Sequence, residues 1–224
     1  MSRLILFSGL GADHRMFSRL NDVGVEFITS PLPVPVAGEG LFEYALRATG
    51  PLKLSADDFI GGCSFGSVVA TVVARQVPSR GLILIGGALN GMSLRGFKWL
   101  PRIFRPYFPI SLFKPFLRTD QAMHYLFGSD NQAMIDLASA MLADTSDTML
   151  VRAGRMLAAY GEQQKPLCPV FAIHGGMDRI MDPPPVGKCL IIPDAGHGIA
   201  YTHAEEVATF LREIQAIPDQ GAGF

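Results

Sequence analysis

The sequence is poor in cysteine, in net charge and in long apolar runs. Its 224 residues contain three cysteines, Cys63, Cys168 and Cys189, whose odd number and spacing match neither a disulfide framework nor a zinc site. A formal net charge of −1 gives no reason to expect nucleic acid or an anionic membrane as a partner. No apolar run approaches the roughly 20 residues needed to span a bilayer, and the run at residues 4–7 is too short for a signal-peptide core. We therefore expect a cytoplasmic protein with reduced thiols and no stable membrane association.

Short apolar runs that alternate with helical patterns occur towards both ends of the chain. Its 224 residues fit one domain, or one domain with an inserted subdomain. Hydrophobic residues make up 49% of the chain, which is enough for a large core. Continuous short apolar runs are typical of strands covered on both faces, as in a parallel sheet. The runs lie at 3–8, 25–29, 58–60, 81–85, 170–174 and 188–192, with helical patterns near 14–20, 41–49, 68–77 and 203–216. This alternation predicts a doubly wound α/β fold with right-handed crossovers.

Strand signals stop between about residues 88 and 165. The stretch 96–118 mixes aromatic and basic residues, and its prolines predict short pieces: Pro101, Pro106, Pro109 and Pro115. Two amphipathic helical patterns follow, near 132–142 and 145–160. We interpret 88–165 as a helical cap inserted after the fourth strand, with 1–87 and 166–224 forming the core. The basic-aromatic stretch could instead lie on a membrane surface or bind a partner, but its prolines and the neutral overall charge favour the cap.

The stretch 57–77 contains Gly62-Cys63-Ser64-Phe65-Gly66, a G-x-S-x-G motif between a predicted strand and a predicted helix. In this context the motif is typical of a tight turn that exposes the central serine and strains its backbone. The two glycines lack a Cβ, so the strand and the helix can approach each other closely. The N-terminal dipole of the helix favours negative charge that develops beside the serine. Ser64 is therefore the predicted nucleophile.

Nucleophilic acyl chemistry at Ser64 requires a base and a group that orients the base. His197 is the best candidate for the base, because it follows a predicted strand in a Gly-rich loop and precedes a helix. Asp178 follows another strand and is expected at the same edge of the sheet, where it would orient His197 and stabilise the imidazolium. The weaker alternatives are His14, His124, His174 and His203 for the base, and Asp182 and Asp194 for the acid.

Two backbone N–H groups are candidates for an oxyanion hole, which stabilises the negative charge on the carbonyl oxygen. The N–H of Phe65 follows the nucleophile, and the N–H of Leu10 lies in the Gly-rich loop after the first strand. Since only the backbone takes part, substitution of Leu10 should reshape the pocket without removing the donor. The candidate pocket residues are Gly9, Gly11, His14 and Trp99.

The order Ser64, Asp178, His197, with a nucleophile elbow, an acid loop and a Gly-His loop, resembles that of the α/β-hydrolase superfamily. The likeness covers nearly the whole chain, and residues 174–178 resemble the family's H-G-x-x-D acid loop. It implies a mostly parallel six-stranded sheet flanked by helices, with the helical cap over its carboxyl edge. The implied spatial order of the strands is second, first, third, fourth, fifth, sixth.

The sequence departs from this family at two points. The family often has His-Gly in the oxyanion loop, where this chain has Ser8-Gly9. The antiparallel hairpin that commonly opens the fold is absent, because Met1 is almost at the first core strand. We therefore expect a minimal version of the fold whose exposed sheet edge could support a homodimer, with a monomer as the alternative.

These residues predict a serine hydrolase, most simply a carboxylesterase, that cleaves a small to medium, partly apolar ester through an acyl-enzyme. The expected partner is a small-molecule substrate, and no metal or organic cofactor is implied. The same constellation also resembles those of thioesterases, lactonases, C–C bond hydrolases and hydroxynitrile lyases. A non-catalytic ligand-binding protein on the same fold is a further alternative, although a pure binder has no physical need for all three residues.

Overall fold

A six-stranded sheet forms the centre of the computed structural model, which describes residues 2–90, 110–161 and 165–217. The strands are β1 (Arg3–Phe7), β2 (Glu26–Ser30), β3 (Phe59–Ser64), β4 (Gly81–Gly87), β5 (Val170–Gly175) and β6 (Lys188–Ile192). Their spatial order is β2-β1-β3-β4-β5-β6, and each neighbouring pair is parallel. The predicted fold class and strand order are confirmed. The sheet formed by the described residues is parallel throughout rather than mostly parallel.

Helices flank the sheet, and four of them lie in the described part of the segment between β4 and β5. They are α1 (Leu41–Thr49), α2 (Phe65–Ala74), α3 (Ile110–Leu117), α4 (Asp120–Phe127), α5 (Gln132–Asp144), α6 (Asp147–Ala159), α7 (Ile199–Thr202) and α8 (Ala204–Gln215). Two short 3-10 helices, His14–Phe17 and Gly50–Leu52, complete the described part. The first of these is shorter than the helix predicted over 14–20. None of the helices in the described ranges has the length and apolar character needed to cross a membrane.

The inner strands β1, β3 and β4 are buried on both sides, because successive side chains point to opposite faces of the sheet and both faces are covered there. The edge strand β6 is exposed or half-buried. On one face, Ile5 and Leu82 belong to a core cluster completed by α1 and α2. On the other face, Leu4 and Ile83 belong to a cluster completed by α8 and the first 3-10 helix. The continuous apolar runs of the sequence therefore fill two cores, one on each side of a single sheet.

The segment 88–165 contains α3 to α6 and no strand within its described residues. Side-chain caps begin three of these helices, since Thr119, Asn131 and Ser146 each accept a hydrogen bond from a backbone N–H in the first turn. Pro115 lies inside α3 and does not end it, contrary to the sequence prediction. Proline has no N–H, so the carbonyl oxygen of Ser111, four residues earlier, lacks its helical donor. Ser111 is exposed, so water can donate to this oxygen instead.

The helices of this segment differ in how they contact the sheet. α6 contributes Ala153 and Leu157 to the same core cluster as α1 and α2. α4 and α5 instead share a small cluster of their own, formed by Met123, Met134 and Ile135. The division of the chain into a core and a cap stays a prediction, and most of the basic-aromatic stretch lies outside the described residues.

A buried carboxylate ties β1 to the loop before β3. Asp58 is 1% exposed, and its carboxylate accepts hydrogen bonds from the Arg3 guanidinium, at 2.5 and 3.0 Å, and from the backbone N–H of Ser55 at 2.9 Å. Burial by itself raises the pKa of a carboxyl group, but these hydrogen bonds outweigh burial and hold the pKa of Asp58 below its ordinary value. The ion pair therefore stabilises the strand pairing from the amino-terminal edge of the sheet.

We expect Asp58→Asn to lower the free energy of unfolding at pH 7 by about 1.5–3 kcal/mol, because a buried charged hydrogen bond is lost. The pKa of Asp58 is lower in the folded state, so its stabilisation is present above the unfolded-state pKa and disappears as pH falls through the folded-state pKa. The difference between wild type and variant should therefore shrink in acid. Urea unfolding from pH 3 to pH 7 measures it, with the exposed Asp57→Asn as the matched control. Equal effects of the two substitutions would contradict the assignment.

Candidate active site

Ser64 ends β3 and immediately precedes α2, and its backbone is strained as the sequence predicted. Its φ is 50° and its ψ −120°, a conformation that non-glycine residues rarely adopt. A Cβ on Gly66 would collide with the carbonyl oxygen of Phe7, and a Cβ on Gly62 would lie 2.6 Å from the carbonyl carbon of Gly66. These two glycines are therefore required because the turn packs directly on the end of β1.

The hydroxyl of Ser67 holds this turn against the end of β4. Its Oγ lies 2.5 Å from the carbonyl oxygen of Ser64, to which it donates, and accepts a hydrogen bond of 2.9 Å from the N–H of Ala88. Ser67 is fully buried. Sequence analysis missed this residue, and the only available signal was a polar side chain in the first turn of an otherwise apolar helix.

Asp178 and His197 follow β5 and β6 and form a hydrogen-bonded pair. His197 Nδ1 lies 2.7 Å from Asp178 Oδ2, while Asp178 Oδ1 accepts hydrogen bonds from the N–H groups of Ile180 and Met181 at 2.8 and 3.0 Å. Burial alone would raise the pKa of Asp178, but His197 and the backbone donors keep it below its ordinary value. Asp178 is thus a buried carboxylate in contact with one ring nitrogen of His197, and its role in orienting that ring stays a prediction.

The alternative acids and bases lie elsewhere. Asp182 is exposed, and Asp194 is near His203 instead, at 3.6 Å. His174 is buried, and its Nε2 lies 3.1 Å from the carbonyl oxygen of Met181 and 3.5 Å from Asp178 Oδ2. Burial lowers the pKa of His174, which favours the neutral ring. His174 therefore packs beneath Asp178 rather than facing Ser64.

Ser64 and His197 both line a cavity of about 210 Å³. Gly9, Leu10 and Gly11 from the loop after β1 border it as well. The other described lining residues are apolar: Ala12, Met16, Ile110, Leu117, Met123, Leu126, Phe127, Met134, Ala138, Met141, Leu142, Leu150, Leu157 and Ile180. Ser64 and His197 thus provide the polar side chains of the described lining, inside an otherwise apolar wall.

One of the predicted pocket residues, His14, does not join this cavity. His14 is three-quarters exposed and borders a separate cleft, because the 3-10 helix that begins with it is capped by Asp13 and turns the ring outward. Trp99 lies outside the described residues. Gly9 and Gly11 do line the cavity, and a Cβ on Gly9 would lie only 3.1 Å from the Cβ of Ser64.

The predicted oxyanion donors belong to the two segments that meet at Ser64. Leu10 follows Gly9 in the loop that packs against Ser64, and Leu10 itself lines the cavity. Phe65 is the first residue of α2, where the N–H has no acceptor within the helix. Their role as donors stays a prediction.

The end of α4 is joined to the loop that carries His197. The backbone N–H of His197 donates a hydrogen bond of 2.7 Å to the carbonyl oxygen of Phe127, whose ring packs edge-on against the imidazole at 5.7 Å. A Cβ on Gly196 would collide with the same carbonyl. Gly128 ends α4 with a φ of 60° and lies directly against the carbonyl of Met177 in the acid loop. The segment 88–165 therefore contacts both the acid loop and the histidine loop.

The thiol next to Ser64 in the sequence is buried outside the cavity. The neighbouring thiol of Cys63 is 3% exposed and does not line the cavity, and burial raises its pKa far above the usual value. The three cysteines are free thiols. No group of three or more His, Cys, Asp or Glu side chains in the described ranges is placed to hold a metal ion.

We expect Gly128→Ala to lower the free energy of unfolding by about 1–3 kcal/mol, because the new Cβ combines an unfavourable positive φ with a collision at Met177. Thermal or urea unfolding measures the loss. Gly161→Ala is the matched control, since a Cβ at Gly161 meets nothing within 4 Å. A Gly128→Ala protein as stable as the Gly161→Ala protein would show that α4 is not packed on the acid loop in this way.

No protein-family model and no curated protein sequence matches this chain. Solved structures do match it over nearly its whole length. A thermophilic esterase from Thermogutta terrifontis has a TM-score of 0.71 at 18% identity, with 95% of this chain and 89% of that chain covered. A hydrolase from Oleispira antarctica has a TM-score of 0.73 at 16% identity, covering 97% and 92%. The enol-lactonase from Burkholderia xenovorans LB400 has a TM-score of 0.72 at 13% identity, covering 95% and 90%. At these identities the likeness establishes the fold.

Proposed function

We propose that this chain, which has the α/β-hydrolase fold, is a serine hydrolase that cleaves a small to medium ester with an apolar acyl group. The observation that carries the proposal is the arrangement of Ser64, His197 and Asp178 around the cavity. A strained Ser64 opens into an apolar cavity shared with His197, whose other ring nitrogen is held at 2.7 Å by the buried Asp178. Strain of this kind persists only where the surrounding structure supports it, and it concentrates at functional sites.

In the proposed acylation step, Ser64 Oγ attacks the ester carbonyl carbon while His197 Nε2 accepts the hydroxyl proton. Asp178 remains ionised and stabilises the imidazolium. The N–H groups of Leu10 and Phe65 hold the negative charge on the carbonyl oxygen. When the tetrahedral intermediate collapses, the C–O bond to the alcohol breaks, and His197 returns its proton to the departing alcohol.

The acyl group is then bound to Ser64 as an ester, and water must remove it. His197 Nε2 accepts a proton from this water, whose oxygen attacks the acyl carbon. Collapse of the second tetrahedral intermediate breaks the bond to Ser64 Oγ, which recovers its proton from His197. The products are the free acid and the unchanged enzyme. No step requires a group beyond the residues named and the attacking water.

The cavity supports an apolar acyl group of limited length. A cavity of about 150 Å³ holds benzene, so about 210 Å³ accommodates about eight non-hydrogen atoms. Its described wall carries no carboxylate, ammonium or guanidinium group. A carboxylate or ammonium group on the acyl chain would therefore be desolvated without a partner, which is costly.

We also propose that 88–165 acts as a cap over the site. Support comes from the cavity wall, because α3, α4, α5 and α6 each contribute side chains to it. Further support is the hydrogen bond between Phe127 and His197. Movement of α4 would therefore change both the access to Ser64 and the position of the base.

Labelling with a fluorophosphonate, followed by intact-mass measurement, tests the proposed nucleophile. We expect one adduct on the wild type and none on Ser64→Ala. His197→Ala and Asp178→Asn should label and turn over esters at least about 10⁴-fold more slowly, as in other triads. His14→Ala is the matched control and should label at the wild-type rate, because its side chain is exposed outside the cavity.

An adduct that survives in Ser64→Ala would reject the assignment of the nucleophile. A folded wild type with no adduct would favour the alternative of a ligand-binding protein on the same fold. Matched ester, thioester and lactone substrates then separate the remaining acyl chemistries. We expect the ester to have the highest kcat/KM.

Acyl-chain length tests the proposed fit of the cavity. Among p-nitrophenyl esters we expect the highest kcat/KM at about four to eight acyl carbons, and a loss of tenfold or more for a succinyl ester. Leu126→Trp should shift the optimum to shorter chains, because Leu126 lines the cavity. Leu112→Trp, at a position that is 74% exposed, should leave it unchanged. An optimum that Leu126→Trp does not move would place the acyl group elsewhere.

A further inference from the structure

A second and larger cleft lies outside the proposed active site. It measures about 570 Å³ and shares no described lining residue with the cavity of Ser64. Its walls come from the loop before α1, the first turn of α1, the end of α2 and one face of α6. The opposite face of α6 carries Leu150 and Leu157, which line the Ser64 cavity. The same helix therefore separates the two spaces.

Three guanidinium groups belong to the polar lining of this cleft. Arg75, Arg152 and Arg155 all border it. The Nε of Arg75 is buried and has no hydrogen-bond partner, and its Nη1 donates to the hydroxyl of Tyr160. Arg75 forms no ion pair with any described carboxylate, and burial lowers its pKa. A guanidinium nevertheless stays protonated in proteins, so Arg75 carries a partly buried positive charge without an anionic partner.

Arg152, like Arg75, forms no ion pair with a described carboxylate. Its Nη1 donates a hydrogen bond of 2.6 Å to the carbonyl oxygen of Pro35, which is a neutral group. The carboxylate of Glu39, although it lines the cleft, is occupied by Arg47 at 2.6 and 2.7 Å and by the N–H of Val36 at 2.8 Å. Glu43, the other acid of the lining, is exposed. The positive charge of Arg75 and Arg152 is therefore not balanced by buried acids of the cleft.

The cleft also presents apolar surface beside these cations. Val36 and Phe42 line it while being 57% and 45% exposed, and Val72 and Met156 form its buried floor. Exposed apolar side chains gathered around a cleft are typical of a binding surface. A ligand that matches this lining has an oxyanion at one end and an apolar body at the other.

We propose that this cleft binds a small organic anion. Arg75 and Arg152 hold its carboxylate or phosphate group, and Phe42 and Met156 contact its apolar body. Guanidinium groups suit this role because their planar donors match the oxygens of carboxylates and phosphates. The bound anion bridges α2, which begins directly after Ser64, and α6, which belongs to the segment 88–165.

Isothermal titration calorimetry on the full chain tests this site with three probes that each carry one phenyl ring: phenyl phosphate, benzoate and benzyl alcohol. We expect saturable binding at one site for at least one anion and much weaker binding of the neutral alcohol. The tighter anion identifies whether the ligand head group is a phosphate or a carboxylate. Ser64→Ala should bind as the wild type does, so the result is independent of the proposed hydrolase activity.

Variants locate the bound anion. Arg75→Gln and Arg152→Gln should each weaken anion binding about ten- to a hundredfold, because each removes charged hydrogen bonds. Arg75→Lys should retain part of the affinity. Arg118→Gln is the matched control, since Arg118 also donates to a backbone carbonyl, that of Ser139, but lies outside the cleft. It should bind as the wild type does.

Two results would overturn the proposal. One is a wild type that binds neither anion at millimolar concentration, or whose binding of benzyl alcohol is weakened by Arg152→Gln as much as its binding of the anions. The other is unchanged affinity in Arg152→Gln. Thermal unfolding of each variant shows whether it is folded. If Arg75→Gln is not folded, the partly exposed Arg152→Gln decides the outcome alone.

Discussion

The close contact between the turn at Ser64 and the end of β1 is the constraint on which the site depends. A positive φ at a residue with a side chain costs about 1–3 kcal/mol, which the surrounding packing has to offset. The glycines at 62 and 66 allow the necessary approach to Phe7, and Ser67 ties the same turn to the residue after β4. A side chain at either glycine would separate β3 from α2 or move the serine out of the cavity.

Parallel strands bring the other parts of the site to the same edge. Gly9 follows β1, Asp178 follows β5 and His197 follows β6, so loops distant in sequence meet beyond the carboxyl ends of the strands. The inner strands are buried on both faces, and the position of each loop is set by the strand that it follows. Side chains of α3 to α6 complete the described lining of the cavity, and the hydrogen bond from His197 to Phe127 links the position of α4 to that of His197.

The two faces of α6 differ in their chemistry. One face lines an apolar space beside Ser64, and the other presents Arg152 to a cleft that has both charged and apolar side chains. Because α6 also packs into the core cluster of α1 and α2, it cannot move without changing that core. A ligand in the cleft would therefore stabilise the arrangement of α2 and α6 that encloses the serine. A single helix thus lies between the two sites and contributes side chains to both.

The sequence by itself determined the strands, their parallel arrangement and the strained turn, because burial on two faces and a Gly-x-Ser-x-Gly turn leave local patterns. It also predicted Ser64, Asp178 and His197 as site residues that follow strands of the sheet. Only the tertiary structure decided that Ser67 supports the turn and that His14 faces solvent instead of the pocket. The same holds for the lining of both cavities. These features arise from contacts between segments far apart in the chain, and no local pattern of residues records such contacts.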